Sequence, residues 1–225
     1  MDKITPSCVD CGTAACRGKG GALPPFCTTA HLDEALLSRS LEIIRNEESD
    51  FFIASAVNER DSYGKRTRIE ETMHFAQLLG VRKLGIATCA GLAGEARALA
   101  RVFRAQGYEV VGIACKCGMV KKTDMGIPER CMECGENICN PVLQALFLNR
   151  EKTELNIALG LCVGHDSLFY KYSEAPVTTL SSKDRALCHA PLGPLYLLDG
   201  YWKRLLRPDD FLTAPAADAT AEENG

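Results

Sequence analysis

Short, nearly continuous apolar runs alternate with amphipathic helical patterns along most of this 225-residue chain. The apolar runs read as buried strands at residues 51–57, 83–88, 109–114, 155–161 and 176–180. The helical patterns lie at residues 29–46, 66–79, 93–106, 141–149, 164–172 and 191–206. Strands that are apolar on both faces and separated by helices indicate a parallel sheet covered on both sides. The predicted fold is therefore an α/β, Rossmann-like three-layer sandwich with about five mostly parallel strands.

Two cysteine-rich stretches stand outside this alternating pattern. The first, residues 1–28, has no apolar periodicity and cannot bury a core of its own. The second is an insertion at residues 115–140 within an α/β domain that we place at residues 29–207. The tail, residues 208–225, ends in small, polar and acidic residues, and we expect it to be disordered.

The charge balance and hydropathy exclude several classes of protein. Lysine and arginine number 26 against 29 acidic residues, a formal net charge of −3, whereas a nucleic-acid-binding domain would carry a basic excess. No apolar run approaches the roughly 20 residues that span a bilayer, and the first residues lack the apolar stretch of a signal peptide. We therefore expect a cytoplasmic protein that binds neither nucleic acid nor membranes. The sequence leaves its oligomeric state open.

Twelve cysteines point to the chemistry of the chain. Without an export signal, clustered cysteines are more often metal ligands or redox groups than structural disulfides. The spacing C-x2-C-x4-C occurs twice, and its first pair is typical of a metal knuckle. Cys27 and Cys117 are the nearest fourth ligands, and free or redox-paired thiols are the alternative. The expected metal ligands are Cys8, Cys11, Cys16 and Cys27 in one set and Cys117, Cys131, Cys134 and Cys139 in the other.

Three further cysteines, Cys89, Cys115 and Cys162, each come at the end of a predicted strand. Ligands of open α/β sheets bind outside the carboxyl ends of the strands, so we expect these thiols to line one catalytic crevice. Any one of them alone reads equally well as a small buried hydrophobe. His165 and Asp166 follow Cys162 in a strand-to-helix turn, as a candidate acid/base and the carboxylate that orients it. The alternative is a surface histidine and a helix N-cap.

A short charged run, residues 183–185, follows the last predicted strand. Lys183 and Arg185 are the candidates for binding an anionic substrate or the negative charge of a cluster. A solvated charge run is the alternative. The glycine-containing turn at residues 88–94 offers backbone N–H groups that can hold an anion, but it lacks the nucleotide-binding glycine motifs.

The cysteines outside the two proposed ligand sets bear on whether the metal is zinc or iron. Each cysteine set satisfies a tetrahedral zinc site, and neither matches the common ferredoxin spacings. The third group of thiols at the ligand-binding edge favours iron–sulfur chemistry, because a structural zinc ion does not need it. The expected cofactor is therefore one or more iron–sulfur clusters of the [4Fe-4S] type, with zinc as the alternative.

Several of these stretches together resemble a known family. They are the two cysteine spacings and residues 160–169 (GLCVGHDSLF), 175–180 (APVTTL) and 183–185 (KDR). They resemble a family of cysteine-rich, predicted metal-binding proteins of unknown function that is common in anaerobic bacteria and archaea. The resemblance spans roughly residues 8–206. It implies a cytoplasmic, metal-binding and iron–sulfur protein, and it implies no particular reaction.

Three functional hypotheses follow. The first is an iron–sulfur protein with a thiol-lined redox or small-molecule site, whose partner is a small molecule or an electron-transfer protein. The sequence does not decide whether it is an enzyme; if so, oxidoreduction and sulfur removal or transfer fit. The second is a zinc-binding structural, partner-binding or metal-handling protein without catalysis. The third is a thiol redox sensor in which Cys115 and Cys117 pair.

Overall fold

A computed structural model describes residues 5–18, 20–197 and 199–201 of the chain. The chain divides into two compact units, Met1–Gly64 and Lys65–Gly225. The predicted domain boundaries near residues 28 and 207 stay predictions, and the tail at residues 208–225 lies outside the described residues.

The first unit contains two helices, α1 (Glu34–Asn46) and α2 (Ser49–Ser62). Helix α1 begins after Asp33, whose carboxylate accepts a hydrogen bond of 2.8 Å from the Ala35 N–H. Short 3-10 helices at Ala15–Arg17 and Thr28–His31 precede it.

The strand predicted at residues 51–57 is wrong, because these residues lie inside α2. A seven-residue apolar run has no period that separates a buried strand from a helix. No glycine or proline occurs between residues 47 and 63, so nothing in the sequence ends a strand there. The helix buries Ala54 and leaves Phe52 and Ile53 more than half exposed.

The second unit is built on a parallel sheet of four strands within the described residues, in the order β2-β1-β3-β4. The strands are β1 (Lys83–Thr88), β2 (Glu109–Ala114), β3 (Leu155–Leu161) and β4 (Val177–Ser182). This confirms the α/β class and the parallel pairing. The count is four strands rather than about five, since the first predicted strand is helical.

Helices cover both faces of this sheet. They are α3 (Arg68–Leu78), α4 (Ala93–Ala105), α5 (Pro141–Arg150) and α6 (His165–Tyr172). One core cluster joins the sheet to Ala76 of α3 and Phe103 of α4. The other joins it to Leu148 of α5 and Phe169 of α6. The chain therefore has one helical layer on each side of the sheet. Of the helix predicted at residues 191–206, the described part contains a 3-10 helix, Gly193–Leu197.

The cysteine-rich insertion between β2 and α5 folds back on itself. Its two halves pair through an isolated antiparallel bridge between Lys121 and Asn137 and a 2.9 Å hydrogen bond from Ile138 N–H to the Val120 carbonyl. Lys122 is 8% exposed, and its ammonium donates to the Cys131 carbonyl. The buried Lys122 side chain thus stabilises the insertion by binding its backbone.

In the described portion of the chain, no helix is both long enough and apolar enough to cross a membrane.

Candidate thiol site at the carboxyl edge of the sheet

The residue directly after each strand carries a nucleophilic or cationic side chain. Cys89 follows β1, Cys115 follows β2, Cys162 follows β3 and Lys183 follows β4. Because the strands are parallel, these four residues lie at one edge of the sheet. The chain leaves β1 and β3 toward opposite sides of the sheet, so the crevice between those two strand ends is the point where ligands of such sheets bind.

Three thiols lie close together at this edge. The Cys139 and Cys89 thiols both raise the pKa of the Cys115 thiol between them. Cys139 reaches this position because the Asn140 N–H donates to the Cys115 carbonyl over 2.8 Å at the start of α5. Cys89 and Cys115 are 8% and 4% exposed, and Cys139 is half-buried.

The turn after β1 directs backbone N–H groups at these sulfurs. Ala90 N–H donates to Cys115 Sγ over 3.3 Å, and Gly91 N–H donates to the Cys89 sulfur. Burial opposes ionisation of Cys89, but the Gly91 N–H and the Lys183 ammonium outweigh it and hold the pKa of this thiol below its ordinary value. Burial and the neighbouring thiols raise the pKa of Cys115 to about 12, although the Ala90 N–H opposes this shift.

Lys183 reaches Cys89 across the end of β3. A Cβ on Gly91 would lie 3.7 Å from Lys183 Nζ and 3.8 Å from Cys89 Sγ, and a Cβ on Gly160 would lie 4.0 Å from Lys183 Cδ. The lysine stem therefore passes over Gly160. At Gly160 β3 has a bulge and a positive φ of 66°, a conformation that suits glycine.

The turn after β3 holds the fourth thiol. Arg185 Nη2 donates to Cys162 Sγ over 3.5 Å, while His165 N–H and Asp166 N–H donate to the Cys162 carbonyl over 2.9 and 3.0 Å. The sulfurs of Cys162 and then of Cys89 and Cys134 raise the pKa of Arg185, which places its guanidinium within electrostatic reach of all three.

His165 lies half-buried at the start of α6. Burial first, and then the charges of Lys116 and Arg185, lower the pKa of His165 against the opposing charge of Asp166. This favours the neutral imidazole, which can accept or donate a proton. The Asp166 carboxylate accepts from the Ser167 N–H over 2.8 Å, so it stabilises the first turn of α6, although Gly164 rather than Asp166 occupies the N-cap position.

Sequence reasoning missed three residues that shape this edge. Gln144 Nε2 donates to the Thr88 and Ile113 carbonyls, at 3.0 and 2.8 Å, and so ties the ends of β1 and β2 together. Lys116 donates to the Asn137 carbonyl. Gly160 is the third residue. Two of the three carried a signal in the sequence: Gln144 is a lone glutamine on an apolar helix, and Gly160 is a glycine inside a strand.

The first predicted ligand set lies in the other unit. The Cys11 N–H donates to the Cys8 carbonyl over 3.3 Å, which forms a turn between these two thiols. The Ser7 N–H donates to the Phe26 carbonyl over 3.1 Å, and Cys8 Sγ donates to Thr28 Oγ1 over 3.1 Å, so Cys8 lies beside the segment that carries Cys27. Cys16 is exposed on the short helix Ala15–Arg17.

In the second predicted set, Cys131 and Cys134 lie on a 3-10 helix, Glu129–Cys134. Cys117 is exposed, and Cys139 contacts Cys115. Across residues 5–18, 20–197 and 199–201, no three cysteine, histidine or acidic side chains are already arranged around a metal position. All twelve cysteines are free thiols.

Fold and site together define an α/β protein with a thiol-rich carboxyl edge on a parallel sheet. The chain belongs to the family described as "Protein of unknown function (DUF1847)", which matches residues 27–180. An uncharacterized protein of the archaeon Methanocaldococcus jannaschii is 43% identical over 159 residues, which cover 68% of this chain and 78% of the relative. No solved structure matches the chain. Cys8, Cys11 and Cys16 lie before the matched region, and Lys183 and Arg185 lie after it.

Proposed function

We propose that this chain is a cytoplasmic metal–thiolate protein of Rossmann-like fold that holds an iron–sulfur centre at the carboxyl edge of its sheet. Cys89, Cys115 and Cys139 are the proposed ligands, and Cys162 is the fourth thiol beside them. The observation that carries the proposal is the proximity of three thiols at the 89–91 turn, whose N–H groups donate to two of the sulfurs.

The surroundings of these sulfurs suit a negatively charged centre. Hydrogen bonds from backbone N–H groups to sulfur, together with nearby cations, stabilise thiolates and tune iron–sulfur potentials. Here the Lys183 ammonium lies against Cys89 and the Arg185 guanidinium against Cys162. When bound, an iron–sulfur cluster supplies electron transfer or a Lewis-acidic iron. The chain's own contribution is burial of the ligands, their orientation by the 89–91 turn, and a neutral His165 that can move a proton nearby.

A second centre is proposed in the first unit, at Cys8, Cys11, Cys16 and Cys27. It is supported by the Cys8–Cys11 turn and by the two hydrogen bonds that hold the start of this set beside the Cys27 segment. The proposed ligands of the two centres belong to different compact units.

Zinc is the second candidate metal at the sheet edge. Several neighbouring thiols also suit one tetrahedral ion, whose Zn–S bonds of about 2.3 Å would bring the sulfurs together. A zinc centre would make the chain a structural, partner-binding or metal-handling protein without redox chemistry. Acid-labile sulfide separates these two outcomes.

The test is iron, zinc and sulfide analysis with an ultraviolet–visible spectrum on protein purified without oxygen. We expect about four iron and four sulfide per cluster and a broad band near roughly 400 nm. The triple variant Cys89→Ser, Cys115→Ser, Cys139→Ser should lose the iron and sulfide of one cluster. The matched control, Cys188→Ser, replaces an exposed cysteine and should keep it.

Two results would overturn the iron–sulfur proposal. One is protein that contains zinc without sulfide, and the other is protein that contains neither metal. An unchanged iron content in a correctly folded triple variant would instead reject the sheet edge as the location. Far-ultraviolet circular dichroism of each variant identifies loss of folding.

A further inference from the structure

Three cationic side chains lie at the carboxyl edge, those of Lys116, Lys183 and Arg185. In the described part of the chain, no carboxylate lies within 4.0 Å of the charged groups of Lys116, Lys183 or Arg185. The chain as a whole has a net charge of −3, so this local excess of positive charge stands out against an acidic background.

The carboxylates closest in sequence accept hydrogen bonds from backbone N–H groups of their own turns. Asp184 Oδ1 accepts from Ala186 N–H over 3.0 Å and from Leu187 N–H over 2.9 Å. Asp166 Oδ1 accepts from Ser167 N–H over 2.8 Å. These carboxylates stabilise backbone turns, while Arg185 donates to the Cys162 sulfur and Lys116 donates to the Asn137 carbonyl.

The cations divide into two groups by what they contact. Lys183 is half-buried, with its ammonium beside Cys89, so its charge serves the proposed metal ligand. Arg185 is exposed and uses one of its five N–H donors on Cys162. Lys116 follows Cys115 at the same edge and donates to the Asn137 carbonyl, and the charges of Lys116 and Arg185 both lower the pKa of the half-buried His165.

We propose that Arg185, with Lys116 and His165 beside it, binds the oxyanion group of a small-molecule substrate next to the thiol centre. A planar guanidinium with free parallel N–H groups is suited to bidentate binding of a carboxylate or a phosphate. The position is the crevice between the ends of β1 and β3, where ligands of parallel sheets bind. This inference names a substrate class for the proposed metal–thiolate site and rests on that proposed function.

The test is isothermal titration calorimetry of the anaerobically purified full chain with succinate and with inorganic phosphate. Sodium chloride at equal ionic strength serves as the reference. Saturable binding of succinate alone assigns a carboxylate, binding of phosphate alone assigns a phosphate, and binding of both assigns a general oxyanion site. Binding of neither overturns the inference.

Two variants locate the site. Arg185→Gln should weaken binding about tenfold or more, and Arg185→Lys should recover part of it, because one charge remains but the bidentate geometry is lost. The matched control is Arg150→Gln, at an exposed arginine whose side chain is 72% accessible at the end of α5, and it should bind as the parent does.

Metal analysis of the same samples separates this inference from the proposed function. Loss of the metal together with anion binding in Arg185→Gln would overturn the substrate role, because the arginine would then serve the centre itself. Anion binding that depends on Arg185 in a chain without any metal would overturn the metal–thiolate function and keep the anion site.

Discussion

The change of Gly160 to alanine tests how the sheet edge is built. Gly160 occupies the bulge in β3 with a φ of 66°, which costs alanine about 1–2 kcal/mol. Its added Cβ would overlap Leu92 Cδ1 and lie 3.3 Å from Leu92 Cγ, and overpacking of this kind costs about 1–3 kcal/mol. Because Leu92 is only 6% exposed within the core, it has little room to move. We expect Gly160→Ala to lower the free energy of unfolding by about 2–5 kcal/mol.

The assay is urea unfolding followed by far-ultraviolet circular dichroism, read at the transition of the sheet-containing unit. A double-mutant cycle with Leu92→Ala isolates the steric part, since the shorter side chain removes the overlap and leaves the backbone cost. The double variant should therefore lose less than the sum of the single losses by about 1–3 kcal/mol. Gly94→Ala is the matched control, because a Cβ there meets open space in α4, and it should not destabilise the chain.

The same variant carries a consequence for the site. Leu92 ends the short turn that holds Cys89 and the N–H groups of Ala90 and Gly91. Displacing Leu92 moves this turn, so Gly160→Ala should also lower metal content, and Leu92→Ala should restore part of it. This account of the bulge would be refuted if the stability losses of Gly160→Ala and Leu92→Ala simply added in the double variant and Gly160→Ala kept its full metal content.

Two further predictions concern charge and helix capping. Lys183→Gln removes the cation that favours the Cys89 thiolate, so the pKa of Cys89 should rise. Alkylation of Cys89 by iodoacetamide at pH 8 should therefore slow in metal-free protein. Mass spectrometry measures the alkylation rate against the exposed Cys188 as internal reference, and an unchanged rate contradicts the prediction. Asn140→Ala removes the cap that accepts from Leu143 N–H over 2.9 Å and should cost about 1 kcal/mol in urea unfolding, whereas Asn140→Ser should recover most of that loss.

Most of the sheet could be predicted because its strands are apolar on both faces. The prediction placed β1, β2 and β3 at their observed bounds and β4 within two residues. The run at residues 51–57 carries the same composition, but it belongs to a helix that no local breaker interrupts. Composition alone does not distinguish these cases, since a short apolar run fits both structures.

The site was less predictable than the sheet. The positions of Cys89, Cys115 and Cys162 depend only on where strands end, which the sequence indicates. The contact of Cys139 with Cys115 depends on how the insertion folds back, and that fold uses lysine side chains bound to backbone carbonyls. Cysteine spacing grouped Cys139 with Cys134 and carried no information about this long-range packing.

The bulge at Gly160 links the core to the proposed chemistry. Before the bulge β3 alternates regularly, and Ile157 and Leu159 both belong to one core cluster. Regular alternation would place Leu161 in that cluster too, yet it packs in the cluster on the opposite face. The register shift therefore reverses the phase of the strand just before its terminal thiol. The Lys183 stem passes beside the same glycine, so the bulge lies next to both the thiol that follows β3 and the cation that reaches the thiol after β1.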